Sequence, residues 1–234
     1  MHRIDHFCIG VEHLYEGQFR LRDETGLDAY DGGWFKDIGV AQRTVPLGND
    51  CYIEVESVIS HAMAASHPFG RWNEAVLATG GDHLWGWVIA VDSLSELEEV
   101  GRRIKQPVQR TWGRIRPDGQ RNKGYATPFG KDHAWPRGLP LWQFWEDMED
   151  HPDRIALAKS VNHRVRPRGI AWVEVGDEKG TRQWLGPEAS SMDVRYVDGP
   201  PGLYGVGIAT DEGEIVIRRP PVPTDLAYLV RDGS

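Results

Sequence analysis

Cysteine is scarce. Cys8 and Cys51 are the only two in 234 residues, too few for a disulfide framework or a Cys-type zinc site. Long apolar runs are also missing: no stretch nears the roughly 18–20 residues of a membrane-spanning helix. The opening residues His2, Arg3 and Asp5 do not read as a signal peptide. The expectation is a cytoplasmic protein with no membrane partner. Basic residues are in deficit, 27 Lys and Arg against 35 acids for a net charge of −8. That balance argues against nucleic acid as the main partner. The local cluster Arg164, Arg166 and Arg168 reads as a solvated linker.

Apolar residues, by contrast, make up 40% of the chain and are spread along it, so a packed core is expected without staples. Tryptophan is abundant, with ten copies. Trp supplies large rigid surface for cores and for binding sites.

A unit of strand, helix and strands recurs. Residues 3–11 alternate, with Phe7, Ile9 and Val11 on one face and His6, Cys8 and Gly10 on the other. A helix over 12–25 follows, with Leu14, Tyr15 and Phe19 as its apolar side and Gly26 as its stop. Gly32-Gly33 is expected to break the chain. Strands at 38–46 and 51–59 flank the turn Leu47-Gly48-Asn49-Asp50. In the second, Ile53 and Val55 point one way, and Tyr52, Glu54 and Glu56 the other. The unit returns with a strand at 85–92 and a capping box, Ser93 to Glu96. Its helix carries Leu94, Leu97, Val100 and Ile104 on one face. Two strands are expected around Arg116-Pro117-Asp118-Gly119, and a closing strand at 139–146. Val11-Glu12 laid on Val91-Asp92 brings the halves into step. A third copy has a strand at 169–175 (Ala171, Val173 and Val175 on one face), a helix near 178–185 and strands near 193–197, 203–210 and 213–218. A further helix is expected at 152–161. The fold class is α+β: repeated βαβββ modules at 1–62 and 83–150 form a curved mixed sheet around a cleft. A third, more divergent module is appended at 168–220. It should pair with another subunit, giving a homodimer, or pack on the back of the first two.

Five stretches then carry a resemblance: Ile4 to Val11, Leu47 to Val55, Gly86 to Asp92, Arg116 to Gly119, and Gly138-Leu139-Pro140. In order and spacing they resemble the vicinal-oxygen-chelate superfamily, and within it the glyoxalase-like domain proteins. The resemblance implies paired modules whose cleft holds a divalent metal cation, with ligands from the first and last strands of each module. His6 matches the first-strand His and Glu54 the last-strand Glu. Alternation independently turns both towards the cleft, and imidazole with carboxylate suits zinc, nickel, manganese or iron. In the second module the matching first-strand position is Gly86, which cannot ligate. The last-strand Glu would fall near Phe144, and Glu146, two residues on, is the candidate substitute. The expected metal ligands are therefore His6, Glu54 and Glu146, and the expected catalytic carboxylates Glu54 and Glu146.

Other polar residues have plainer readings. Glu56 is read as a solvated or salt-bridged neighbour, His151 and His163 as structural or exposed, and Cys8 as a buried inert thiol. Arg114 and Arg116 fit hairpin surface charge better than an anion seat. Trp85, Trp142, Phe144, Trp145 and Trp172 are candidate walls of an aromatic pocket. The function expected is a small-molecule enzyme with metal-assisted isomerase or lyase chemistry on adjacent substrate oxygens. Dioxygenase chemistry would need a second His at the position of Gly86. The alternative is a non-catalytic protein that binds or sequesters a small molecule in an aromatic cleft.

Overall fold

The first strand, β1 (Arg3–Gly10), is buried on both faces from Ile4 onward, and helix α1 (Leu14–Thr25) packs behind it. The computed structural model describes residues 2–111, 114–121, 123–128 and 133–231. Gly26 ends α1 at φ 77°, a left-handed value that suits glycine, and its N–H bonds to the Arg22 carbonyl. The buried face of α1 is Gly17, Gln18 and Leu21, not the expected Tyr15 and Phe19, which are exposed. Gly17 is the reason: a Cβ there would lie 2.6 Å from Val11, so glycine lets the helix sit directly on that side chain.

Three strands complete the quartet: β2 (Tyr30–Phe35), β3 (Val40–Gly48) and β4 (Cys51–Val58). The expected break at Gly32-Gly33 is instead inside β2. A register shift between Asp31 and Gly33 forms a bulge there, and Gly33 has φ 90°. Helices α2 (His61–Ser66) and α3 (Pro68–Leu77) connect to the second quartet. This comprises β5 (His83–Ala90), α4 (Leu94–Ile104), β6 (Gln109–Thr111), β7 (Gly124–Ala126) and β8 (Leu141–Trp145). Ser93 caps α4 by accepting from the Glu96 N–H, and the Glu96 carboxylate reaches back to the Asp92 N–H.

Together the strands form one curled sheet in the order β2-β3-β4-β1-β5-β8-β7-β6. Each quartet runs second, third, fourth, first, and the two first strands meet antiparallel. The ends of the sheet also touch. Trp34 on β2 exchanges backbone hydrogen bonds of 3.0 and 2.9 Å with Ile115, from the segment between β6 and β7. Only glycine fits beside that rung, since a Cβ on Gly33 would stand 1.9 Å from the Ile115 carbonyl oxygen.

Beyond α5 (Ala156–Lys159) lie β9 (Pro167–Val175), α6 (Glu178–Leu185), β10 (Val194–Tyr196), β11 (Leu203–Thr210), β12 (Gly213–Arg218) and α7 (Tyr228–Arg231). Helix α5 is far shorter than the expected 152–161. Asp153 spends its carboxylate on the N–H groups of Gly48 and Asp50 across the fold, which holds the preceding segment in a turn. The second sheet is ordered β10-β9-β11-β12, so its first strand lies between its second and third. In β9 the partners of Gly207 and Ile208 are Trp172 and Ile170, so Ala171 is skipped. Ile170 consequently packs with Val173 and Val175, and Ala171 is exposed.

The second sheet covers the back of the first. Val173, Val175, Val206 and Ile208 share one buried cluster with Phe7, Ile9, Ile53 and Val55, and with Leu21 of α1 and Leu97 of α4. Burying a side chain of this size stabilises by about 1.5–3 kcal/mol. The back of the long sheet thus serves as the main core, and the third quartet needs no second subunit to cover its apolar face. The front carries a smaller cluster of α3 residues with Trp85, Val88 and Trp135. The rest of the front is the cleft. Among the described residues, no helix is long and apolar enough to cross a membrane.

Candidate functional site

Parallel pairing of β1 with β4 sets His6 beside Tyr52, Cys8 beside Glu54 and Gly10 beside Glu56. Phe7, Ile9, Ile53 and Val55 go to the back core, so His6, Tyr52, Glu54 and Glu56 line the front. They floor a cleft of about 270 Å³, walled further by Arg114 and Trp145. One ligand atom from each of His6, Cys8 and Glu54 lies within 4.8 Å of the others, and all three residues are buried. The Cys8 thiol donates to Glu54 Oε2 at 3.4 Å, and His6 Nε2 is 4.0 Å from the same oxygen.

Behind His6 sits Asp5, fully buried. A register shift between Ile4 and His6 takes Asp5 out of the alternation. Its carboxylate accepts from His6 Nδ1 at 2.7 Å, Trp145 Nε1 at 3.1 Å and His151 Nε2 at 3.2 Å. Burial alone would push this carboxyl up. The charge and hydrogen bond of His151, and then those of His6, outweigh burial and hold it well below the usual carboxylate range. An ionised Asp5 only accepts, so His6 turns an Nδ1–H towards it and its Nε2 towards the cleft. Tyr52 stacks on the His6 ring at 4.4 Å and fixes its plane.

Glu54 and Glu56 are two residues apart on one strand and both face the cleft. Burial, then the charge and hydrogen bond of Glu54, push the Glu56 carboxyl well above its ordinary range. The shift favours the protonated carboxyl, the form that can donate. Burial, then Glu56 and Glu54, likewise push the Cys8 thiol up. Arg114 enters from the far end of the sheet, beside the Trp34–Ile115 rung, and gives Nη1 to Glu54 Oε1 at 2.9 Å.

The structure brings the expected His6 and Glu54 together and leaves Glu146 apart. Glu146 is exposed just beyond β8 and forks to Arg110 at 2.8 and 3.1 Å. Phe144 packs on the back cluster, so the front residues of β8 near the cleft are Gln143 and Trp145. Glu56 is not solvated but half of a buried carboxyl pair. His151 is structural, as a prop of Asp5. His163 is structural too, accepting from the Asp28 N–H. Of the aromatic candidates, Trp145 lines the cleft. Trp142 and Phe144 join the back core, Trp85 packs with α3, and Trp172 lies in the second sheet under Arg195.

The glyoxalase-like domain family matches residues 4–185. The chain belongs to that family. With it comes membership of the vicinal-oxygen-chelate superfamily, in keeping with the curled sheet of two quartets. No curated protein matches the chain. Among solved structures, a hypothetical protein from Staphylococcus aureus is 13% identical with a TM-score of 0.57, covering 95% of this chain and 88% of its own. Methylmalonyl-CoA epimerase from Mycobacterium tuberculosis is 14% identical over 61% of this chain and 85% of its own, with a TM-score of 0.41. A hypothetical protein from Bacillus halodurans is 17% identical over 62% and 94%, with a TM-score of 0.42.

In this glyoxalase-like chain the two quartets are not chemically equal. Cys8 pairs with Glu54 and Val88 with Leu141, so Leu141 stands where Glu54 does, and Gly86 stands where His6 does. The indole of Trp135 fills the space over Gly86, 2.3 Å from where a Cβ would be, and donates Nε1–H to the Trp87 carbonyl. Among the described residues, the clustered donors thus come from the first quartet. Imidazole, thiol and carboxylate together are a donor set that fits a zinc- or iron-like cation with open positions. Binding would require Cys8 to lose its proton and Arg114 to yield Glu54.

Proposed function

We propose that this protein is a small-molecule enzyme that moves a proton on carbon next to a carbonyl, in an isomerase- or lyase-type reaction. The convergence of His6, Cys8 and Glu54 donor atoms within 4.8 Å, with His6 and Glu54 lining the cleft and Cys8 buried beside them, carries the reading. These residues would hold one divalent cation: zinc, nickel, manganese or iron. When bound, the cation supplies Lewis acidity to adjacent substrate oxygens. Asp5 and Tyr52 orient His6 and keep its Nε2 directed into the cleft. Glu56, whose burial beside Glu54 favours the protonated carboxyl, would deliver a proton at the buried floor of the cleft. Trp145 walls the cleft while its indole N–H is held by Asp5.

Metal analysis of untagged protein tests the reading. Stoichiometric metal that is lost in His6→Ala supports it. Metal-free protein, with His6→Ala as stable as the parent, overturns it. A second reading, binding without catalysis, is favoured by one observation: the second quartet offers Gly86 under Trp135 and Leu141 where donors would stand.

A further inference from the structure

The Arg114 guanidinium is half used. Nη1 binds Glu54, while Nε and Nη2 are buried and have no hydrogen-bond acceptor among the described residues. The side chain is only 3% exposed, and it lines the cleft. A buried donor without an acceptor is costly, more so when charged. Nε and Nη2 are not an arbitrary pair. They form the side-on edge of the guanidinium, two nearly parallel N–H bonds whose spacing matches the two oxygens of a carboxylate. Backbone hydrogen bonds of the Trp34–Ile115 rung hold the neighbouring chain, so the fork is presented from a fixed wall.

The charge of the lining agrees. Four cationic side chains (Lys36, Arg110, Arg114 and Arg121) face three carboxyls (Asp37, Glu54 and Glu56) in the cleft, although the whole chain is acidic at −8. With Arg110 forked to Glu146, cations and carboxyls in and around the cleft balance at four each, so an anion here does not meet the acidic excess of the chain as a whole. A planar monoanion suits the side-on edge. Phosphate would bring extra negative charge close to Glu54.

We infer that Arg114 is the seat for a carboxylate on the substrate, gripped two-pronged through Nε and Nη2, so that the substrate class is small carboxylic acids. This rests on the cleft being the substrate site, as proposed above, but not on a metal being bound.

The test is titration calorimetry with acetate, pyruvate, malonate and inorganic phosphate up to about 10 mM, with acetamide and methyl pyruvate as uncharged counterparts. Metal content is measured on the same samples. The expected result is that at least one carboxylate binds and its uncharged counterpart does not. Arg114→Lys, which keeps the charge but loses the fork, should weaken that carboxylate at least about tenfold. Equal binding by acid and uncharged counterpart in the parent protein overturns the inference and needs no variant to fold. So does unchanged affinity in Arg114→Lys, phosphate binding without any carboxylate, or no binding by any of the acids. Arg114-dependent carboxylate binding in protein that never holds metal upholds the inference while the metal reading fails. Full metal with Arg114-independent binding does the reverse.

Discussion

Asp5→Asn is the perturbation that probes the site most directly. The parent carboxylate is fully buried and accepts from His6, Trp145 and His151. Removing one partner from a buried charged cluster costs about 3–5 kcal/mol. Asn keeps the volume and one acceptor oxygen, so the lower end, about 3 kcal/mol, is expected. At about 2–4 °C per kcal/mol for a chain of this size, the melting midpoint should fall by about 6–12 °C. The chemical effect is separate. The amide of Asn presents a donor towards His6, which must then accept at Nδ1 and carry its proton on Nε2. Nitrogen-15 NMR of the histidine rings reads this directly: Nδ1–H at His6 in the parent, Nε2–H in the variant. Any cation held by His6 should weaken by about 10–100-fold. A variant melting within about 2 °C of the parent, with the His6 proton still on Nδ1, would refute the reasoning that Asp5 fixes His6.

Two further outcomes follow from the geometry. Gly33→Ala places a Cβ 1.9 Å from the Ile115 carbonyl at a φ of 90°. Unfolding in urea should show a loss of about 1–3 kcal/mol, and no loss would mean that the rung is dispensable. His133 is fully buried, stacked on Phe69, and pushed well below the ordinary imidazole range, by burial first and then by Arg137 and His67. As pH falls below about 6.5 the unfolded chain takes up the proton first, so stability present above that pH is lost on acidification by up to about 1.4 kcal/mol per unit. His133→Asn keeps an acceptor for the Trp135 N–H and cannot titrate. Its stability should therefore fall less steeply between pH 6.5 and 5 in denaturant melts taken across that range, and an unchanged slope would contradict the assignment.

Most strands were legible because their residues alternate and their neighbours obey the same period. The spans 203–210 and 213–218 coincide with β11 and β12. Strand β2 was not legible, because Gly32-Gly33 looks like punctuation. Its glycine serves a contact with Ile115, far along the chain, which no local pattern announces. The site divides in the same way. His6 and Glu54 came from parity, since β1 and β4 are regular where they matter. Asp5 escaped because alternation places it with Phe7, and a register shift turns it instead. Arg114 escaped because a hairpin arginine reads as surface charge until the sheet curls and brings it over Glu54. Glu146 was placed by counting from Phe144, and that parity leads to the back of the sheet.

The inequality of the two quartets has a consequence for stereochemistry. A cleft with matched donors on both walls would offer either face of a flat molecule the same reagents. Here one quartet carries imidazole, thiol and acid, and the other an indole lid over Gly86. Under the proposed reaction, a trigonal carbon held in this cleft would meet protons from a single direction, and its product would emerge as one enantiomer.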